Sequence, residues 1–101
     1  MYARVITFTV VPEKMDEAFE VARTSVVPAL QQQSGFKGML SLVDRQTDKA
    51  ISVTLWDTEA DLETGESSGF YQQQVGKFAA FVSAPPKQEK FEAILEVPLD
   101  M

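Results

Sequence analysis

The side chains best suited to chemistry lie together on a strand that alternation predicts at residues 51–56. Ser52, Thr54 and Trp56 share one face of that strand, and a Thr-x-x-Asp pattern from Thr58 predicts a helix start directly after it. An indole and two hydroxyls at a strand-to-helix junction can line a pocket and hydrogen-bond a small molecule. Large aromatics at strand ends more often pack in the core, and strand hydroxyls more often bond locally. A ligand pocket and ordinary packing are therefore both open interpretations of this face.

Residues on other elements are candidates for the same pocket. Phe8 lies on the first predicted strand, and Tyr71 and Phe78 lie on the last predicted helix, from which they can reach a bound molecule. The alternative for Tyr71 is a packed ring with its hydroxyl in water. Arg4 shares the Phe8 face and can meet either an anionic ligand or a carboxylate of the protein. The glutamine triplets at 31–33 and 72–74 are predicted to form solvated helix faces.

The residue types that the chain lacks exclude several kinds of site. Its 101 residues contain neither His nor Cys, which removes thiolate chemistry, disulfides and the usual ligands of haem and transition metals. The sequence has no P-loop or GxGxxG motif, so we expect no cofactor and no metal. The net charge of −6, without any run of basic residues, argues against nucleic acid as a partner.

Membrane association is not predicted either. No apolar run approaches the roughly 18 residues of a membrane-spanning helix, and the scattered basic residues give no attraction to anionic lipid. The first residues open directly into a strand pattern, without the charged and apolar segments of a secretory signal. We therefore predict a cytoplasmic protein.

The elements that must position these side chains follow the order β-α-β-β-α-β. Strands are predicted at 2–11, 36–45, 51–56 and 89–97, with a hairpin connection at 44–49, and the main helices at 13–32 and 67–82. A short helix begins at Thr58 and fades near 65–66, and Pro28 predicts a kink or break near 25–28. This order predicts a single α+β domain over residues 1–101, with a ferredoxin-like fold and a four-stranded antiparallel sheet.

The same sheet predicts a partner. Large apolar residues point to both of its faces, with Ile6 and Phe8 on one side of the first strand and Val5 on the other. Two helical segments can cover only one face, and an antiparallel sheet with a wet face should be more polar on that side. We therefore expect a homodimer in which two sheets face each other as a dimeric α+β barrel.

Three stretches of the sequence resemble a known family. The first strand ends at Pro12, residues 34–38 (Ser-Gly-Phe-Lys-Gly) are similar to a Pro-Gly-Phe-x-Gly stretch, and residues 53–59 are similar to a strand-Trp-x-Ser-x-x motif. With these features the chain resembles the antibiotic biosynthesis monooxygenase-like family of dimeric α+β barrel proteins. The resemblance implies a cofactor-independent oxygenase for quinol-like compounds, a haem-degrading enzyme, or an isomerase or aldehyde-handling enzyme.

The resemblance also assigns roles to individual positions. It implies that Trp56 is catalytic, with Ser52 at the position of a family Asn and Leu62 at the position of a family Tyr. The His of the haem-degrading branch would fall near Gln74. Two functions therefore remain open. One is a cofactor-independent monooxygenase-like enzyme that takes a small aromatic or enolic substrate between sheet and helices. The other is a non-catalytic homodimer that binds a small apolar molecule or has a structural role.

Overall fold

A four-stranded antiparallel sheet forms the base of the molecule. The computed structural model describes residues 1–97. Its strands are β1 (Tyr2–Thr9), β2 (Phe36–Asp44), β3 (Lys49–Trp56) and β4 (Lys87–Glu92), in the spatial order β2-β3-β1-β4. All neighbouring strands run antiparallel. This is the ferredoxin-like arrangement, and it confirms the predicted α+β class and four-stranded sheet.

Helices cover one face of the sheet. The first crossover consists of α1 (Met15–Val21), a π-turn (Ala22–Val26) and α2 (Val27–Gln31), and the second consists of α3 (Glu59–Ser67), α4 (Phe70–Gly76) and a 3₁₀ turn (Ala79–Phe81). Thr58 caps α3 as predicted, because its hydroxyl oxygen accepts the backbone N–H of Asp61 at 3.1 Å. No helix in the described residues has the length and apolar character needed to cross a membrane.

The first crossover passes Pro28 without a break. Proline lacks an N–H, and its ring clashes with the carbonyl four residues earlier in a regular helix. The turn just before Pro28 widens, so that the Val27 N–H bonds the carbonyl of Ala22, five residues back. The disturbance predicted for residues 25–28 is thus a π-turn inside a continuous helical rod, a feature that often marks functional sites.

Some predicted elements are shorter in the structure. The helix expected at 67–82 extends only over Phe70–Gly76, because Gly69 at its start has a left-handed φ of 83° and the chain leaves helical geometry soon after Gly76. The strand expected at 89–97 ends at Glu92. The next N–H, of Ala93, bonds the carbonyl of Met1, and the last residues that pair between the two strands are Tyr2 and Glu92. The strand expected at 2–11 likewise ends at Thr9.

The two faces of the sheet differ in how they are covered. Strand register places Arg4, Ile6 and Phe8 opposite Thr54, Ser52 and Ala50 on the face under the helices. The opposite face has no cover within residues 1–97, although it is rich in apolar side chains. The large side chains on this outer face that are about half exposed to solvent are Leu40 (46%), Leu42 (47%) and Phe91 (50%), and Val5, Val53 and Leu55 lie between them.

Candidate functional site

A cavity of 90 Å³ lies between the covered face of the sheet and the helices. Most of its wall is apolar and includes Ile6, Phe8 and Ala50 from the sheet, Met15, Phe19 and Val26 from the first crossover, and Val75 and Phe78 from the second. The polar residues on its wall are Arg4, Ser41, Ser52, Thr54, Tyr71 and Gln74. Drug-sized ligand sites measure roughly 300–1,000 Å³, so this cavity suits a molecule with a single small ring.

The cavity brings together most of the candidate residues named from the sequence. Ser52 and Thr54 reach its wall from β3, and Phe8 reaches it from β1. Tyr71 from α4 and Phe78 just after it close the opposite side. The rings of Phe8 and Phe78 pack with their centroids 5.4 Å apart at an angle of 57°. Sheet and helices therefore meet in an aromatic contact that can hold a flat ring.

Trp56 lies outside the cavity wall. Its side chain is only 1% exposed and packs in a cluster with Val26, Leu30 and Leu62. The expectation that the indole would line the pocket is therefore not met. The face of the strand was predicted correctly, but α2 and α3 converge over the end of β3 and enclose the ring there. Because Phe36 also packs edge-on against the indole, with centroids 5.6 Å apart, the ring is fixed in the core.

A hydrogen bond connects this buried indole to the cavity. The Trp56 Nε1–H donates to Thr54 Oγ1 at 3.0 Å, and the Thr54 side chain is itself buried. A hydroxyl that accepts one bond keeps its own proton for another partner. Thr54 therefore presents an O–H donor beside the cavity, in an orientation that Trp56 helps to set.

Arg4 places a buried positive charge beside the same cavity. Its side chain is 3% exposed, its Nε donates to Gln88 Oε1 at 2.6 Å, and its Nη2 donates to the Leu62 carbonyl at 2.8 Å. Burial lowers the pKa of Arg4, and the charge of Glu66, 3.7 Å away, opposes that shift. Arginine stays protonated at any physiological pH, so the charge is permanent. Of the two sequence interpretations, the structure supports pairing with a protein carboxylate.

Tyr71 stacks on this charge. The guanidinium carbon of Arg4 lies 4.6 Å from the centroid of the Tyr71 ring, within cation–π range. Burial raises the pKa of the Tyr71 hydroxyl above its ordinary value of 10.0, and the charge of Arg4 offsets only part of that shift. The phenol therefore keeps its proton at neutral pH. It can donate a hydrogen bond, but it is a poor base.

Gln74 is a site residue that the sequence interpretation missed. The triplet at 72–74 was expected to be solvated, and this is correct for Gln72 and Gln73 but wrong for Gln74, which is 8% exposed and lines the cavity. Its Oε1 is buried without a hydrogen-bond partner among the described residues. The available signal was helical spacing, because Gln74 lies three residues after Tyr71 and four before Phe78.

The described residues give no support for a metal centre. Within 1–97, no three carboxylates come close enough together to hold a metal ion, and the chain has no His or Cys. The residues that line the cavity include no carboxylate. The chemistry available at its wall is therefore hydrogen bonding by hydroxyls and an amide, together with the positive charge of Arg4.

Comparison with known proteins links the chain to one family. A family model described as antibiotic biosynthesis monooxygenase matches residues 1–77. The uncharacterized protein Rv2558 of Mycobacterium tuberculosis is 38% identical over 58 residues, which cover 57% of this chain and 25% of that protein. The chain thus matches about a quarter of the length of this relative.

Solved structures share the fold across nearly the whole chain. A monooxygenase from the gene ActVA-Orf6 of Streptomyces coelicolor, in complex with the ligand nanaomycin D, superposes with a TM-score of 0.79 at 14% identity, covering 98% of this chain and 92% of that one. SnoaB, a cofactor-independent oxygenase from Streptomyces nogalater, gives a TM-score of 0.72 at 18% identity, covering 97% of each chain. A Nitrosomonas europaea protein of unknown function gives 0.73 at 18% identity, covering 98% and 95%.

Proposed function

The chain belongs to the antibiotic biosynthesis monooxygenase family, and on that premise we propose that it is a cofactor-independent monooxygenase-like enzyme for a small aromatic or enolic substrate. The observation that carries the proposal is the apolar cavity with the Thr54 hydroxyl and the Arg4 charge at its wall. An electron-rich ring fits such a cavity, and its ionised oxygen finds both a hydrogen-bond donor and a positive charge there.

The reaction needs no electrons from outside the substrate. Taking hydroquinone as the simplest example, hydroquinone and O₂ give hydroxybenzoquinone and water, with all atoms and all four electrons balanced. Loss of a hydroxyl proton gives a phenolate, which passes electron density to O₂. A bond then forms between a ring carbon and oxygen, and cleavage of the O–O bond releases water. The step that the protein can favour is formation of the phenolate.

The residues at the cavity wall have different roles in this reaction. Phe8 and Phe78, whose rings pack against each other at the wall, offer an aromatic surface for the ring of the substrate. Thr54 donates a hydrogen bond to the phenolate, with Ser52 available as a second hydroxyl. The charge of Arg4 lowers the cost of ionisation, to an extent that its pairing with Glu66 at 3.7 Å reduces. No group on the described wall is a strong base, so the proton passes to water and turnover should be slow.

Trp56 is a positioning residue in this scheme. Its indole does not line the cavity, but its N–H occupies the acceptor side of the Thr54 hydroxyl. The Thr54 proton is thereby directed to another partner, for which the phenolate is well suited. This role differs from the direct catalytic contact that the family resemblance implies for Trp56.

We further propose that the functional unit is a homodimer formed through the outer sheet face. The supporting observation is the row of exposed apolar side chains on that face, which includes Leu40, Leu42 and Phe91. A second copy of the same sheet would cover them and make a self-complementary interface. The cytoplasmic location inferred from the sequence stays a prediction.

Oxygen uptake tests the enzymatic proposal. Wild-type protein should consume O₂ when supplied with hydroquinone, above the rate of the buffer and without added metal or cofactor. Thr54→Ser keeps the hydroxyl and should retain activity, whereas Thr54→Val keeps the shape and should lose about ten-fold or more of the rate. Equal rates for the two variants would refute the role of the hydroxyl.

A second function, non-catalytic binding of a small apolar molecule, is favoured by one observation. Leu62, at the position of the family Tyr, is 1% exposed, belongs to the core and is not among the residues that line the cavity, so it offers no polar group to a ligand there. Binding of hydroquinone without any protein-dependent oxygen uptake would support this function. The same result would contradict the oxygenase.

A further inference from the structure

We infer that Gln74 selects the ligand of this cavity by requiring a group that donates a hydrogen bond to its side-chain oxygen. This role of Gln74 rests on the proposed function, because both concern the same cavity. It concerns which molecules bind, whereas the proposed function concerns what happens to them. The ligand class is a small ring that carries at least one un-ionised O–H or N–H donor.

A buried acceptor without a partner is costly. Gln74 is 8% exposed, and its Oε1 is buried without a hydrogen-bond partner in the part of the chain that the structure describes. Buried polar groups in proteins almost always have a partner, because an unpaired one loses its interaction with water and gains nothing in return. A donor supplied by a ligand removes this penalty, so the protein gains most from ligands that carry one.

Arg4 and Thr54, two other polar residues at the wall, already have hydrogen-bond partners in the protein. Arg4 uses Nε and Nη2 for Gln88 and the Leu62 carbonyl, and Thr54 accepts the Trp56 N–H. Thr54 and Arg4 offer protons or positive charge, so they favour an oxygen acceptor on the ligand. The side-chain oxygen of Gln74 has the opposite preference, because it can only accept a hydrogen bond and so favours a donor on the ligand.

Gln74 is well placed to reach a molecule in the cavity. It lies on α4 between Tyr71 and Phe78, which also line the cavity, and its flexible side chain can turn its amide toward a ligand ring with little backbone movement. The cavity measures 90 Å³, and apolar cavities of about 150 Å³ accept benzene. Met15 and Met39, both flexible, also line it, so a single ring can be accommodated with small adjustments.

Together these groups predict how a ring with two hydroxyls would be held. One hydroxyl stays protonated and donates to Gln74, while the other ionises beside Thr54 and Arg4. A fully ionised ligand would place lone pairs against the Gln74 oxygen and bind less well. Selection by Gln74 therefore concerns the end of the ring that does not ionise.

A comparison of phenol with toluene tests the inference, because the two molecules differ mainly in a hydroxyl and a methyl group. Binding is measured by NMR titration of the methyl groups of Met15 and Met39, which line the cavity. Gln74→Leu should shift the ratio of the two dissociation constants toward toluene by about ten-fold, the effect of one hydrogen bond. Gln73→Leu removes the same amide from an exposed position on the same helix and should leave the ratio unchanged.

Anisole completes the experiment, because it keeps an oxygen but cannot donate. Wild type should bind phenol more tightly than anisole. Gln74→Leu should fold normally and unfold at the same or a higher temperature, since it removes an unpaired buried group. Equal binding of phenol and anisole, no phenol binding, or an unchanged phenol-to-toluene ratio in Gln74→Leu would overturn the inference. The unchanged ratio would mean that an ordered water is the only partner of Gln74.

The result of this binding experiment can be distinguished from the result of the oxygen-uptake test of the proposed function. A phenol preference that Gln74→Leu abolishes, in a protein that never consumes O₂, would refute the oxygenase and leave the role of Gln74 intact. Oxygen uptake that depends on Thr54, together with no preference for phenol over anisole in the titration, would support the oxygenase and refute the role of Gln74.

Discussion

The hydrogen bond between Trp56 and Thr54 predicts a measurable energetic coupling. The two side chains are 1% and 5% exposed, so water cannot replace either partner when the other is removed. Thr54→Val leaves the indole N–H buried without an acceptor, which costs about 1–3 kcal/mol of unfolding free energy. In a Trp56→Phe background no N–H remains to be stranded, and the same substitution should cost close to zero. The coupling should therefore be about 2 kcal/mol.

Urea denaturation of the four proteins in this cycle measures the coupling. Far-UV circular dichroism is the suitable probe, because Trp56→Phe removes the only tryptophan and with it the usual fluorescence signal. All proteins are compared at one concentration, since an oligomer would make stability depend on it. A change of about 2 kcal/mol corresponds to roughly 8–16 °C in melting temperature for a domain of this size.

Thr54→Ser provides the control for packing. It keeps the acceptor and removes only a methyl group, so it should cost clearly less than Thr54→Val when Trp56 is present. Equal costs of Thr54→Val in the wild-type and Trp56→Phe backgrounds would show that the hydrogen bond contributes nothing. The positioning role of the indole would then be untenable.

Three further predictions follow from other contacts. Lys90, 2.7 Å from Glu66, lowers the pKa of the Glu66 carboxyl below its ordinary value of 4.5. The ion pair therefore stabilises the fold above pH 4.5, and this stabilisation is lost as the pH falls through the lower pKa of the folded state. Glu66→Gln should make the urea midpoint depend less on pH in this acidic range, and an unchanged dependence would contradict the prediction. Gly35→Ala should destabilise by about 1–3 kcal/mol, because φ is 80° and a Cβ would overlap a carboxylate of α3, whereas Gly38→Ala meets nothing within 4 Å and should cost less in the same urea experiment. Val53→Asp, on the outer sheet face, should convert the proposed dimer to monomer in sedimentation, and a dimer that persists would place the interface elsewhere.

Local pattern was sufficient to predict which face of each strand holds the candidate site. Side chains alternate with a period of two, so Phe8, Ser52 and Thr54 had to share the face that the helices cover once β1 and β3 were paired in register. The cap at Thr58 and the disturbance before Pro28 were also local, because each depends on residues within one or two turns. The fold class followed from the order of these elements.

The features that the local sequence pattern did not predict depend mostly on contacts between distant parts of the chain. Trp56 lies on the predicted face of β3, but whether its side chain reaches the cavity depends on where α2 and α3 pack over the sheet. The end of β4 at Glu92 depends on its pairing with Tyr2 of β1, which no alternation within residues 89–97 can reveal. Gln74 was different, because its helical spacing from Tyr71 was visible. The repeated glutamines suggested a solvated surface and concealed a buried position.

Blocking the cavity tests whether the proposed chemistry takes place inside it. Ala22 lines the cavity from the π-turn, and Ala22→Leu adds a bulky side chain there, whereas Ala60→Leu adds the same side chain on the exposed surface of α3. Oxygen consumption with hydroquinone is measured for both variants and wild type, after circular dichroism has shown that each is folded. We predict that wild type and Ala60→Leu consume oxygen at similar rates and that Ala22→Leu falls to the buffer rate. Equal consumption by Ala22→Leu, or none by wild type, would contradict an oxygenase site in this cavity.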